Sequence, residues 1–116
     1  MPPSQRVDRW REDRSLQVAL YMLVVRKLLG LEPVAGLYQP LGGRDLRARG
    51  VFRDDVTIGT RTVANDARDS DAFEQVLDDA AQRALGLAER LRAGELTPCP
   101  QTCSRDGCAY PGICRA

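Results

Sequence analysis

The sequence predicts an α/β fold in the order helix, strand, strand, helix, followed by a cysteine-rich tail, and three observations predict it. Apolar residues recur at three and four over two long stretches. Short β-prone runs bounded by Pro and Gly lie between those stretches. All four cysteines fall within the last eighteen residues. With 116 residues, 43% hydrophobic content and only six aromatics, the chain has room for one small domain with a modest core. The expected division is residues 1–96 as that domain and 97–116 as the tail.

The first helix is expected from about Asp13 to Leu29. Leu16, Ala19, Leu20, Leu23, Val24, the stem of Lys27 and Leu28 mark its buried face, and Gly30 supplies a left-handed cap. After Pro33, Val34 to Gln39 reads as a strand bounded by Pro40 and by Gly42-Gly43. A second strand, Gly50 to Arg53, follows the Gly-Gly-Arg-Asp turn region, so the two are expected to pair as a hairpin. A weaker extended run, Val56 to Ile58, continues this sheet or fringes it. The second helix starts at a capping box of Asp71 with Glu74. It holds Phe73, Val76, Leu77, Ala80, Ala84, Leu87 and Leu91 on one face until Gly94.

Charge and absent residues narrow the chemistry. The net charge is +1, which signals no general affinity for polyanions, but the cations are sixteen Arg and a single Lys, Lys27. Arg44, Arg47, Arg49, Arg53 and Arg61 cluster mid-chain, interrupted by Asp45, Asp54 and Asp55. That pattern suits a solvated mixed-charge face or a phosphate track. The chain has no histidine, so no Ser-His or Cys-His nucleophile pair exists and any metal must sit on sulfur or carboxylate. Gly42-Gly43 lacks a following Gly-Lys-Ser/Thr and reads as a turn rather than a phosphate-binding loop.

The tail spaces Cys99, Cys103, Cys108 and Cys114 by three, four and five residues, each gap holding a Pro or a Gly. No cleavable signal peptide is evident, and nothing approaches the roughly 20 apolar residues that span a bilayer. A cytoplasmic location with reduced thiols is therefore expected, favouring a metal or cluster over disulfides. Spacing leaves zinc and iron-sulfur both open. On the first helix, Gln17 and Tyr21 stand four residues apart on one face of an apolar stretch, either as a core-edge pair or as an amide and a phenol presented to a cleft.

Ser15 to Gly30, with Gln17 and Tyr21, closely resembles the Gln-x-x-x-Tyr helix of RecB-type PD-(D/E)XK nucleases. Gly36 to Leu41 and Arg49 to Phe52 look like the strand pair that follows it. Cys108-Ala-Tyr-Pro-Gly-Ile-Cys114-Arg115 is similar to the carboxy-terminal Cys-x5-Cys-Arg of the iron-sulfur branch, which includes AddB-like helicase-nuclease subunits. The resemblance implies a partial restriction-endonuclease-like core and a DNA repair or recombination role. It also implies DNA and a helicase domain or subunit as partners. It assigns Gln17 and Tyr21 to the active cleft, and Cys103, Cys108 and Cys114 to a four-iron four-sulfur cluster, with Cys99 as a replacement ligand or a free thiol.

In that family a metal-binding Asp and an Asp/Glu-x-Lys precede the Gln-x-x-x-Tyr helix; the acids hold the divalent ion and the lysine helps position or activate the water. Neither motif is present here, since Lys27 follows Val25-Arg26. Asp8 and Asp13 lie in the right neighbourhood without a lysine, so the catalytic role does not pass to them. The chain is thus expected to be the carboxy-terminal half of such a nuclease, through a misplaced start, a split gene or a decayed one. It is expected to be inactive alone, and magnesium belongs to an intact parent that supplies the amino-terminal half. The alternatives are a small zinc-binding interaction module and a non-catalytic DNA-binding accessory subunit.

Overall fold

The computed structural model describes residues 6–97. The described residues fall into two units, divided between residues 84 and 85. Within the described residues the elements are α1 (Gln17–Leu29), β1 (Ala35–Tyr38), β2 (Arg49–Arg53), β3 (Ala67–Arg68) and α2 (Ser70–Arg92), with 3-10 turns at Val7–Arg9 and Ala64–Asp66. The α/β class and the order of α1, β1, β2 and α2 are as the sequence predicts, with a third short strand, β3, added just before α2.

The segment before α1 is not helical in the way the sequence suggests. Val7–Arg9 forms a short turn that lowers Trp10 into the core, and Ser15 N–H donates to the Trp10 carbonyl at 2.8 Å. Arg14 sits in the left-handed region (φ 56°), which a continuous right-handed helix does not admit. The helix therefore starts at Gln17, not near Asp13. It ends where predicted, at Gly30 with φ 66°.

The buried face of α1 differs from the predicted one by about one position. Ala19 and Met22 are buried, while Val24 and Leu28 are exposed. The stretch is apolar nearly all round, so periodicity alone does not choose the inward side. What chooses it is Gly36 in β1. A Cβ there would lie 2.5 Å from Val18 Cγ1 and 2.8 Å from both Met22 Cε and Sδ, so α1 rests directly on the bare backbone of the strand.

β1 and β2 pair antiparallel, with Ala35 opposite Phe52 and Tyr38 opposite Arg49, as the hairpin expectation holds. Their connection is a long loop rather than a tight Gly-Gly turn. Gln39 organises it, its Nε2 donating to the Leu46 carbonyl at 2.9 Å while its Oε1 accepts from Thr60 Oγ1 at 3.2 Å. The third strand is β3, parallel to β2 through Phe52–Ala67 and Arg53–Arg68, giving the order β1-β2-β3. Val56 to Ile58 is not a strand. The chain turns after Arg53, where Asp54 N–H donates to the Arg68 carbonyl at 2.8 Å and completes the Arg53–Arg68 pairing of β2 with β3.

The amino-terminal cap of α2 is Asp69, whose Oδ1 accepts the Ala72 N–H at 2.8 Å. Asp71 lies inside the first turn, and Glu74 is used elsewhere. In the first unit, Phe73, Leu77 and Ala80 of α2 join Trp10, Ala19, Met22 and Val51 in one core. Burying Phe73 and Leu77 contributes about 1.5–3 kcal/mol each. Trp10 and Tyr38 meet edge-to-face, ring centroids 6.4 Å apart. In the second unit Leu87 and Leu91, predicted on the buried face, are exposed. There Arg90 pairs with Glu95 after the helix ends. Cys99, Cys103, Cys108 and Cys114, with the tail assigned to 97–116, lie outside the described residues apart from Thr97. Among the described residues no helix is long and apolar enough to cross a membrane.

Candidate functional site

Gln17 opens α1 and Tyr21 follows one turn later, so a 3.6-residue period stacks the two side chains on one face. The structure brings them together: Gln17 Nε2 donates to Tyr21 Oη at 3.0 Å. Both are exposed, Tyr21 at 60%. Val24 and Leu28 continue the same outward stripe, Leu28 at 77%. Gln17 Oε1 and the Tyr21 hydroxyl hydrogen remain available. An amide and a phenol so placed can hydrogen-bond a phosphate oxygen or a base edge. They cannot by themselves activate water, because neither an amide nor a phenol exchanges a proton near neutrality.

Arg26, five residues beyond Tyr21, fixes the helix in place. Its Nη1 and Nη2 donate to the two carboxylate oxygens of Glu74 on α2 at 2.9 and 2.6 Å, and Nη2 also reaches Glu32 at 2.6 Å. The hydrogen bond from Arg26 holds the Glu74 carboxyl below the usual range, against the opposing push of partial burial. Glu74 thus acts as an inter-helix clamp, where the sequence suggested a capping role.

The mid-chain arginines are largely neutralised. Arg47 Nε and Nη2 pair with Asp45 at 2.9 and 2.7 Å, holding the Asp45 carboxyl well below its ordinary range. Arg53 does the same to Asp55. Arg49 donates twice to Asp66, at 2.7 and 3.0 Å, and the Gly50 N–H adds a third bond at 3.2 Å. Arg44 and Arg61 are exposed and make no ion pair among the described residues. The segment is therefore a mixed-charge face with local acid partners rather than a continuous cationic track.

Asp66 is the functional-looking residue that sequence reading overlooked. It is 2% exposed, the sole buried charged residue among those described. Its only sequence signal is an acid within Val63-Ala-Asn-Asp-Ala67, too weak to distinguish from a loop carboxylate. Asp8 and Asp13 are held by nearby arginines, Arg6 at 2.7 Å and Arg9 at 3.4 Å respectively. Among the described residues no three acidic or sulfur side chains converge in a group that could hold a metal ion. Gln17 and Tyr21 bring no carboxylate of their own, and no step through a magnesium ion follows from the pair.

A family model described as the PD-(D/E)XK nuclease superfamily matches residues 2–115. No curated protein and no solved structure matches the chain. The small three-stranded sheet flanked by two helices is consistent with a partial core of that superfamily.

Proposed function

The chain belongs to the PD-(D/E)XK nuclease superfamily, and from that premise we propose that it is the part of a RecB-like DNA nuclease domain that follows the catalytic strand. Its role is to present Gln17 and Tyr21 to DNA, while an Asp/Glu-x-Lys strand supplied from other chain, in cis or in trans, carries the divalent ion and the hydrolytic water. The observation that supports this reading is the Gln17–Tyr21 hydrogen bond on the open face of α1. Two polar tips are held together on a helix whose opposite side is packed, and their remaining donors and acceptors point outward.

The whole domain would hydrolyse phosphodiesters in a cytoplasmic repair or recombination system, alongside a helicase domain or subunit. Cys103, Cys108 and Cys114, with Cys99 as the fourth thiolate, would hold a four-iron four-sulfur cluster whose binding energy is folding energy.

Purified chain, incubated with magnesium or manganese and single- or double-stranded DNA, is expected to release no nucleotides above a Gln17→Ala, Tyr21→Ala control. It is expected to bind DNA at low salt, with affinity reduced in that double variant. Hydrolysis by the chain alone would overturn the division of labour, and failure to bind DNA would overturn the nuclease-domain role. Anaerobically purified protein should absorb broadly in the visible and lose that absorbance in Cys108→Ser and Cys114→Ser. A colourless protein with one bound zinc would replace the cluster by a zinc site.

A further inference from the structure

At the β3 edge of the sheet is a cavity of about 220 Å³ that no residue of α1 lines. Its walls include Arg6, Arg49, Arg68, Asp8, Asp66 and Asn65. Three guanidinium groups against two carboxylates leave a positive balance. The two aspartates are already satisfied from within, Asp66 by Arg49 and the Gly50 N–H, Asp8 by Arg6.

Each of the two inner arginines is anchored through part of its fork and open through the rest. Arg49 spends Nε and Nη2 on Asp66, leaving Nη1 without a partner among the described residues. Arg68 spends Nη1 on the carbonyls of Asn65 and Ala67, at 2.7 and 2.8 Å, leaving Nε and Nη2 open among the described residues. An edge of Nε and Nη2 is the geometry that meets two oxygens of a phosphate in parallel. Both arginines belong to paired strands, in β2 and β3, so their forks are held before any ligand arrives.

We propose that this cavity is a phosphate-binding site, with Arg68 as the bidentate donor and Arg49 as the second cation. It lies apart from the Gln17–Tyr21 pair. The phosphate comes either from a DNA backbone, in which case the proposal builds on the DNA reading above, or from the free inorganic ion. A built pocket fits this better than the exposed Arg44 and Arg61, which have no comparable anchoring.

The test uses the full chain. Arg68→Met is expected to weaken binding of a short single-stranded oligonucleotide about tenfold at low salt, as loss of a charge-assisted contact should. It should also reduce the slope of log affinity against log salt by about 1. Arg44→Met removes the same charge outside the cavity and is expected to do much less. In parallel, inorganic phosphate titrated into wild-type protein should shift the Arg68 Nε–H resonance in the NMR spectrum, an arm that does not depend on any variant folding. A shift with phosphate together with no DNA binding supports the site with the free ion as its ligand and removes the DNA reading. Retained DNA binding with equal losses in the two variants, and no shift with phosphate, overturns the site and leaves the DNA reading standing.

Discussion

Arg49 and Asp66 form an ion pair whose two members have unequal access to water. The Asp66 side chain is 3% exposed and the Arg49 side chain 24%. Removing the arginine strands a carboxylate whose one remaining partner among the described residues is the Gly50 N–H, whereas removing the acid's charge leaves a guanidinium that can turn toward solvent. Arg49→Met is therefore expected to cost about 3 kcal/mol or more, and Asp66→Asn, which keeps an acceptor for Gly50, about 1–2 kcal/mol. Urea unfolding of the two variants checks the order; equal losses would mean that Asp66 reaches water through the cavity. Gly50 is constrained at the same place: φ is 152°, and a Cβ would fall 2.2 Å from the Gly36 carbonyl oxygen. Backbone cannot yield there as a side-chain tip can, which is why the position is glycine. None of this was legible in the sequence, because a pair separated by seventeen residues leaves no local pattern.

At the scale of elements, caps and faces give sharper contrasts. Asp69 caps α2 through its Oδ1, so Asp69→Ala is expected to lower stability by about 1 kcal/mol while Asp71→Ala changes it little. Thermal unfolding of the pair decides which aspartate starts the helix. On α1, Met22→Ala should cost about 2–5 kcal/mol because it opens a cavity, but Leu28→Ala should stay within about 0.5 kcal/mol. The reverse result would restore the face that hydrophobic periodicity suggested. The Arg26–Glu74 clamp adds a pH dependence. Since Arg26 depresses the folded-state pKa of Glu74 below its ordinary 4.5, the clamp contributes fully above that value and is lost as pH falls through the depressed one. Stability should therefore decline on acidification below about pH 4.5, and less steeply in Arg26→Met, as read from urea midpoints at about pH 7 and about pH 3. Asp45, Asp55 and Glu95, each depressed by its own arginine, act in the same direction and set the slope that remains.

For the molecule as a whole, the division is between what it presents and what it lacks. The first unit encloses a small core and turns an amide–phenol pair and a cationic pocket outward, with no acidic metal cluster among the described residues. Contact with DNA should accordingly be dominated by a few arginines and fall steeply with salt. Titrations at two ionic strengths check this, and salt-insensitive binding would point instead to stacking or apolar contacts. The superfamily match was legible from Gln17 and Tyr21 on a helix followed by a strand pair, since those positions are local and ordered along the chain. The cysteine ligands rest on the resemblance alone.

By itself the sequence determined the class, the order of the two helices and the first two strands, the end of α1 at Gly30 and the meeting of Gln17 with Tyr21. Each of these depends on residues a few positions apart, where propensity, capping and helical period act directly. Tertiary structure decided the rest. Which side of an all-round apolar α1 turns inward was settled by the bare backbone of Gly36. A two-residue β3 exists only because β2 offers it hydrogen-bonding partners. The reassignment of Glu74 from cap to clamp, and the burial of Asp66, follow from arginines that the fold brings across from other elements, a placement that no local pattern in the chain encodes.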